Sequence, residues 1–165
     1  RRAAMLNKDG PTAIICSRQK LPGLQRDRLA PAEKLHEGAY VLRDPPKGKP
    51  QIILMASGSE VWRTVEAAKL LVKKGVRVRV VSFPSWELFE KQPKRYRDSV
   101  LLPTVRRRLA GEAAVPMGWE RYVGEKGEVI GLDRFGASAP GEEVLDNLGS
   151  AVKHIVKRAL ALMQK

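Results

Sequence analysis

The sequence is poor in the residue types that build metal sites, disulfides and membrane segments. It contains one cysteine, Cys16, and two histidines, His36 and His154, which are far apart along the chain. A single cysteine excludes an internal disulfide and a cysteine-based zinc site, and it is typical of a reducing, cytoplasmic compartment. No apolar run approaches the roughly 18 residues of a membrane-spanning helix. We therefore expect a cytoplasmic protein with no metal site and no membrane partner.

Targeting and nucleotide-binding signals are also missing from the sequence. The start, Arg1-Arg2-Ala3-Ala4, has no apolar stretch behind it, so no signal peptide is predicted. Because the chain does not begin with Met, we expect it to be a piece of a longer chain. The fingerprints G-x-G-x-x-G and G-x-x-x-x-G-K-[ST] are absent, which disfavours a Rossmann-like nucleotide-binding domain.

Apolar residues and positive charge are abundant. The 165 residues are 43% hydrophobic, enough for one compact domain and an appendage. With 31 Lys and Arg against 18 Asp and Glu, the formal charge is +13. Such a surface attracts anions, so a basic module that binds nucleic acid or another polyanion stays open beside one that binds phosphorylated metabolites. A generally basic proteome would produce the same charge without any function.

A Pro- and Gly-rich stretch divides the chain. Residues 44–50 have no apolar period and predict a linker. Before them, Thr12–Ser17 and Ala39–Leu42 are two predicted short strands around a polar loop, too little to fold alone. The sequence thus predicts that residues 1–43 are the tail of a preceding domain and that residues 51–165 form a second domain.

The clearest local pattern in the sequence is a β-α-β unit that begins near Gln51. Its predicted parts are a strand over Ile52–Ala56, a Ser57-x-x-Glu60 capping box, a helix and a strand over Val76–Ser82. The helix carries its core stripe at Val61, Val65, Ala68 and Val72, and Gly75 ends it. Arg77 and Arg79 alternate with valines in the second strand, so that strand either starts outside the sheet or needs acidic partners.

The rest of the domain continues the alternation of strands and helices. We expect a short helix over 86–91, strands centred on Leu109–Ala110 and over Glu128–Leu132, and two helices over 140–148 and Ala151–Met163. Ser138-Ala139-Pro140 would cap the first of these two helices. The last helix has an apolar side formed by Val152, Ile155, Val156, Ala159, Leu160 and Met163. This pattern defines an α/β domain.

Few residues are candidates for chemistry on spacing alone. Ser57-Gly58-Ser59 precedes a helix and resembles a phosphate site, although helix capping is the favoured interpretation. The run Arg106-Arg107-Arg108 alternates across a strand, which favours a solvated face over one flat anion-binding patch.

Glu112 is a lone carboxylate near a strand end, His154 is expected to be exposed, and Cys16 is expected to be a buried small apolar residue. Ser17-Arg18-Gln19 follows a predicted strand, where α/β folds place ligand groups, and Arg suits a phosphate.

An ordered set of segments covering residues 9–163 resembles transketolase. Each segment is weak evidence by itself, but their order and spacing together are specific. They are Gly10-Pro11-Thr12-Ala13 with Ser17-Arg18-Gln19, Gly38–Leu42, Ala56–Val61, Val78–Ser82 with Pro84-Ser85, Tyr96–Leu101, Trp119–Gly124 and Phe135–Pro140.

The resemblance implies a fold and a place in a larger enzyme. Residues 51–165 resemble the family's C-terminal domain, an α/β domain with a three-layer, open, mixed and mostly parallel sheet that has helices on both faces. Residues 1–43 resemble the end of the pyrimidine-binding domain. The partners implied are the remaining domains of the parent chain, a second copy in a homodimer and a sugar phosphate, with no nucleic acid.

The resemblance also implies an activity. Transketolases belong to the pentose phosphate pathway and transfer a two-carbon ketol unit between sugar phosphates, using thiamin diphosphate and a divalent cation, Mg or Ca. The residues that hold and activate the cofactor lie upstream of this chain in the family pattern. This chain is therefore expected to contain no catalytic, cofactor-binding or metal residue, to be structural and dimer-supporting, and to be inactive alone. Only Arg18 carries over, as a ligand of the substrate phosphate.

Overall fold

Strands and helices alternate along most of the chain in the computed structural model. The structure describes residues 2–17, 19–138 and 141–164. Its elements, in chain order, are α1 (Arg2–Leu6), β1 (Tyr40–Arg43), β2 (Ile52–Ala56), α2 (Glu60–Lys73), β3 (Val78–Ser82), α3 (Trp86–Glu90), α4 (Lys94–Val100), β4 (Arg108–Gly111), α5 (Glu120–Val123), β5 (Glu128–Ile130), α6 (Gly141–Asn147) and α7 (Val152–Gln164), with 3₁₀ turns at Arg26–Arg28 and Ala32–Glu37.

The five strands form one sheet in the order β1-β3-β2-β4-β5. β1 pairs with β3 in the antiparallel sense, whereas the pairs β3-β2, β2-β4 and β4-β5 are parallel. In the middle of the sheet, Leu54 lies between Val80 and Leu109. The expectation of a mixed, mostly parallel sheet is confirmed.

The central strand β2 is buried on both faces. Successive side chains of a strand point to opposite sides, and here they enter two separate cores. Ile52, Leu54 and Ala56 pack in the core that contains α2 and α7. Ile53 and Met55 pack in the other core, beneath α3, α4 and α5. The three layers predicted from the sequence are therefore present.

Helices α2 and α7 form the layer on one face. On α2 the predicted stripe is confirmed at Val61, Val65 and Ala68, which are buried. The helix ends as expected: the Gly75 and Val76 N–H groups donate to the carbonyls of Val72 and Leu71 at 2.9 and 3.1 Å. This is the bonding of a Schellman motif, and Gly75 has a positive φ of 80°. On α7 the buried residues are Ile155, Val156, Ala159 and Leu162.

The arginines near β3 have different surroundings. β3 begins at Val78, so Arg77 precedes the strand and its Nε donates to the Lys49 carbonyl at 2.8 Å. Arg79 lies within the strand and is only 8% exposed. Its guanidinium donates two hydrogen bonds to the Asp44 carboxylate, at 2.7 and 2.9 Å, and one each to the Ser99 and Val100 carbonyls. Arg79 therefore has the acidic partner that was one of the two alternatives expected from the sequence, and this partner is Asp44.

The sheet extends across the predicted linker. β1 precedes residues 44–50 and β2 follows them, yet both strands pair with β3. The division at residues 44–50 into a preceding domain and a second domain stays a prediction. What the structure adds is that Tyr40–Arg43 belong to the same sheet as the strands of residues 51–165.

The segment Thr12–Ser17 is not a strand, and this prediction was wrong. No described strand pairs with it, and Ile14 and Ile15 are 57% and 95% exposed. Cys16, expected to be buried, is exposed as well. Apolar and β-branched residues favour a strand only where a neighbouring strand and a core receive them. The described residues provide neither at this position.

Gly38 sits where a side chain has no room. Its φ is 81°, and a β-carbon built there would lie 2.1 Å from the Phe89 backbone nitrogen. The Gly38 carbonyl also accepts a hydrogen bond from the Ser85 N–H at 2.9 Å. This close contact joins the start of β1 to the N-terminus of α3.

We expect Gly38→Ala to lower the free energy of unfolding by more than about 3 kcal/mol, because the overlap with backbone atoms adds to the roughly 1–2 kcal/mol of left-handed strain. Gly75→Ala is the matched control. Gly75 has nearly the same φ, 80°, with no atom within 4 Å of an added β-carbon, so only strain remains. Urea unfolding of both variants measures the difference; equal losses would contradict the packing argument.

Candidate functional site

The residue predicted to bind a substrate phosphate, Arg18, lies outside the described residues. On either side of it, Ser17 and Gln19 are exposed and belong to no strand or helix. The predicted strand that was to position Arg18 is absent from the described residues. The phosphate role of Arg18 therefore stays a prediction from the sequence.

A polar cluster lies at the carboxyl ends of β2 and β4. The chain leaves β2 for β3 on one side, while β4 pairs on the other side, so this is a topological switch point, where open α/β sheets bind ligands. Ser57 directly follows β2, and Glu112 directly follows β4. The Ser57 hydroxyl donates to Glu112 Oε2 at 2.7 Å. Two segments separated by 55 residues in sequence thus meet.

Glu60 completes this cluster from the start of α2. It is only 5% exposed, and its Oε1 accepts a hydrogen bond from the Ser59 hydroxyl at 2.7 Å. The predicted capping box is not formed. Although the Ser57 carbonyl accepts from the Glu60 N–H at 3.1 Å, the Ser57 hydroxyl is directed to Glu112 instead. Ser59 is the N-cap residue and makes no side-chain cap bond.

The surroundings of Glu60 shift its protonation. Burial raises the pKa of the Glu60 carboxyl above its ordinary 4.5, and the nearby charge of Glu112 raises it further. Hydrogen bonds from Ser59 and from the Ala113 backbone, and the charge of Arg63, act in the opposite direction. The Glu112 carboxylate therefore adds to the effect of burial in disfavouring the ionised form of Glu60.

The charge of this cluster decides what it can hold. Its side chains are two hydroxyls and two carboxylates, so it offers acceptors and negative charge. A phosphate group would be repelled, which argues against the interpretation of Ser57-Gly58-Ser59 as a phosphate site. Across residues 2–17, 19–138 and 141–164, no group of three or more His, Cys, Asp or Glu side chains could hold a metal ion.

The three arginines of the run Arg106-Arg107-Arg108 have different surroundings in the structure. Arg108 was expected on a solvated face, and this was wrong. Its guanidinium is half-buried and donates to the carbonyls of Val105, Tyr122, Leu101 and Leu102, at 2.7 to 3.2 Å. Arg107 Nε donates to the Leu162 carbonyl at 3.0 Å, while Arg106 is exposed. The three residues do not form one flat patch, as expected from their alternation.

The remaining candidates have structural or surface positions. His154 Nε2 lies 3.1 Å from Asp146 Oδ1, and Lys153 donates to Oδ2 of the same carboxylate at 2.6 Å. These two partners, Lys153 first, lower the pKa of Asp146. The predicted cap residues Ala139 and Pro140 lie outside the described residues, while helix α6 itself occupies the expected range. No described helix has the length and apolarity needed to cross a bilayer.

The fold and its switch point place the chain among open, mixed α/β domains of the doubly wound kind. Comparison with known proteins narrows this class. The family described as "Transketolase-like TK C-terminal domain" matches residues 38–151. The chain belongs to the transketolase family and corresponds to its C-terminal part.

Individual relatives agree with this assignment. A transketolase of Geobacillus stearothermophilus is 45% identical over 164 residues, which are 99% of this chain and 25% of the relative. The structure of a Leishmania mexicana transketolase matches with a TM-score of 0.73 at 40% identity, over 80% of this chain and 19% of the other. A Pichia stipitis transketolase in complex with sedoheptulose-7-phosphate gives 0.78 at 34% identity, over 89% and 20%. The chain spans about a quarter of the length of the curated relatives it matches.

The raised pKa of Glu60 predicts a pH-dependent stability. Between the unfolded pKa and the raised folded pKa, the native state binds more protons than the unfolded state, so stability falls as pH rises. Above the folded pKa the cost of the buried charge is fully present. We therefore expect Glu60→Gln to raise the free energy of unfolding at pH 8, by an amount that shrinks towards pH 4.5.

Chemical denaturation at several pH values measures this effect. The control is Glu33→Gln, because Glu33 is exposed in a surface turn. Its substitution should leave the pH dependence unchanged. A Glu60→Gln effect that is the same at pH 8 and at pH 4.5 would show that the buried charge is not the cause.

Proposed function

We propose that this chain serves as the C-terminal part of an enzyme that transfers a two-carbon ketol unit between sugar phosphates. The observation that carries the proposal is 45% identity along 99% of the chain to a transketolase of which it spans only a quarter. The sugar phosphate named with the Pichia stipitis structure supports the substrate class. An independent function as a nucleic-acid-binding module is not supported by these comparisons.

In this proposal the chain contributes Arg18 to the substrate site. A guanidinium presents a fixed fork of donors and keeps its charge at all relevant pH values, which suits a phosphate dianion. Holding the phosphate end fixes the position of the reacting carbon relative to the catalytic groups. The support is the position of Arg18 in the triplet Ser17-Arg18-Gln19, which matches the family pattern, within a region of excess positive charge.

Catalytic groups, thiamin diphosphate and a divalent cation (Mg or Ca) are assigned to the remaining domains of the longer enzyme. The cluster of Ser57, Glu60 and Glu112 repels a diphosphate, and the described residues provide no metal-ligand group. These described groups thus do not fit a diphosphate or its metal ion. The role of this chain is to complete the fold and to bind the other domains and a second copy in a homodimer. The enzyme is proposed to act in the cytoplasm, in the pentose phosphate pathway.

The first test concerns the chain by itself. We expect no ketol transfer between xylulose 5-phosphate and ribose 5-phosphate, because in the family pattern the residues that hold and activate the cofactor lie upstream of this chain. Thiamin diphosphate with magnesium should leave the melting temperature unchanged in a thermal-shift assay. Turnover by the chain alone, or a saturable stabilisation that needs both thiamin diphosphate and magnesium, would contradict the assignment of catalysis and cofactor binding to the remaining domains.

The second test concerns Arg18 in a transketolase that contains this sequence as its C-terminal part. Arg18→Ala should raise KM for phosphorylated substrates by roughly ten- to a hundredfold, because a charged hydrogen-bond partner is worth about 1.5–3 kcal/mol. KM for unphosphorylated sugars should change little. The matched control is Arg28→Ala, an exposed arginine in the 3₁₀ turn at Arg26–Arg28. Equal effects on both substrate classes would rule out a phosphate contact.

A further inference from the structure

An open cavity of about 570 Å³ lies at the amino-terminal edge of the sheet, opposite the Ser57–Glu112 cluster. Its lining combines cationic side chains with apolar ones. Arg106, Arg107 and Lys126 are exposed and Met163 is half-buried, whereas Val105 and Leu162 are buried. Nothing in the proposed ketol transfer uses this cavity, and ligand binding there would be independent of that function.

Parallel pairing of β2, β4 and β5 brings the basic residues of the cavity together. Arg107 directly precedes β4, and Lys126 lies two residues before β5. Because these strands are parallel, the segments before them meet at one edge of the sheet. The Ile53 N–H donates to the Arg107 carbonyl at 3.0 Å, which fixes the start of β4 against β2. The basic lining is therefore a product of the topology.

One guanidinium of the cavity is held in place with donors unused. Arg107 Nε donates to the Leu162 carbonyl at 3.0 Å, near the end of α7. Its two terminal nitrogens have no hydrogen-bond partner among the described residues. Arg106 and Lys126 likewise have neither an ion pair nor a hydrogen bond from their side chains within the described part of the chain. Among the described residues that line the cavity, Glu125 is the one that carries a carboxylate.

The two edges of the sheet thus differ in charge. The carboxyl edge holds Glu112 and the buried Glu60, whereas the described residues of the amino-edge cavity include three cations and one carboxylate. An anion attracted by the overall charge of +13 is repelled at the first edge and attracted at the second. Volumes of about 300–1,000 Å³ are typical of small-molecule sites, and 570 Å³ lies within this range.

We propose that this cavity binds a phosphorylated small molecule. Its phosphate lies among Arg106, Arg107 and Lys126, and its organic part lies against the half-buried side chain of Met163. Charge-assisted hydrogen bonds from guanidinium groups supply the affinity for the phosphate. The apolar part of the lining favours an organic phosphate over inorganic phosphate of the same charge.

The test compares inorganic phosphate and phenyl phosphate at constant ionic strength and at a pH above the second pKa of both, where each is a dianion. Binding to the 165-residue chain is followed by the amide shifts in two-dimensional NMR spectra. We expect saturable shifts centred on residues 104–107 and 125–127. Phenyl phosphate should bind at least about threefold more tightly than inorganic phosphate, because its ring removes apolar surface from water.

Charge reversal locates the site. Arg106→Glu and Lys126→Glu should each weaken phenyl phosphate binding about tenfold or more, since each replaces an attraction to the phosphate by a repulsion. Arg134→Glu is the control, because Arg134 is exposed in the loop after β5, at the opposite edge, and its change in net charge is the same. It should change the affinity less than twofold. Both cavity positions are exposed, and the neutral variants Arg106→Gln and Lys126→Gln repeat the test with less disturbance to folding.

Four results would overturn the proposal. Shifts that grow without saturation, or equal weakening by Arg134→Glu, would show a general attraction to a basic surface. Equal affinity for the two dianions would remove the organic phosphate as the ligand class. Tighter binding of a short DNA duplex, with shifts spread over many basic residues and a steep salt dependence, would indicate a nucleic-acid surface instead.

Discussion

Burial of β2 on both faces is the constraint on which the rest of this domain depends. All five of its residues are inaccessible to solvent, so each face of the sheet needs a helical layer, and each flank needs a partner strand to satisfy the backbone. Helices α2 and α7 cover one face, and α3, α4 and α5 cover the other. With both faces and both flanks closed, only the two ends of the strands are free for polar groups. The Ser57–Glu112 cluster and the basic cavity occupy these two ends.

Arginine has two roles in this structure. Arg79 is buried and Arg108 half-buried, and both donate to backbone carbonyls at the ends of α4 and α5 and in the segment between α4 and β4, which lowers the cost of burying those oxygens. Arg106, which lies two residues before Arg108, is exposed. It has no such partner within the described residues. A net charge counted from the sequence therefore overstates the charge available to a ligand, because part of it is committed to holding the chain together.

The sequence pattern predicted correctly those parts of the fold that depend only on residues close together in the chain. The stripe of Val61, Val65 and Ala68 and the stop at Gly75 are local, and both were confirmed. The Ser57–Glu112 bond joins residues far apart in sequence, so only the rule that polar groups follow parallel strands could have suggested it. Thr12–Ser17 has the composition of a strand but no described neighbour to pair with, which the sequence of that segment cannot show. The role of Arg18 rests on the resemblance alone.

The exposed segment that contains Ile14, Ile15 and Cys16 has a practical consequence. Exposed β-branched side chains in a segment without strand partners can add to the edge of another molecule's sheet, and an accessible thiol can be oxidised to a covalent dimer. A preparation of this chain is therefore best kept dilute and under reducing conditions. Its shelf life will be set by these few residues rather than by the well-packed sheet that follows them.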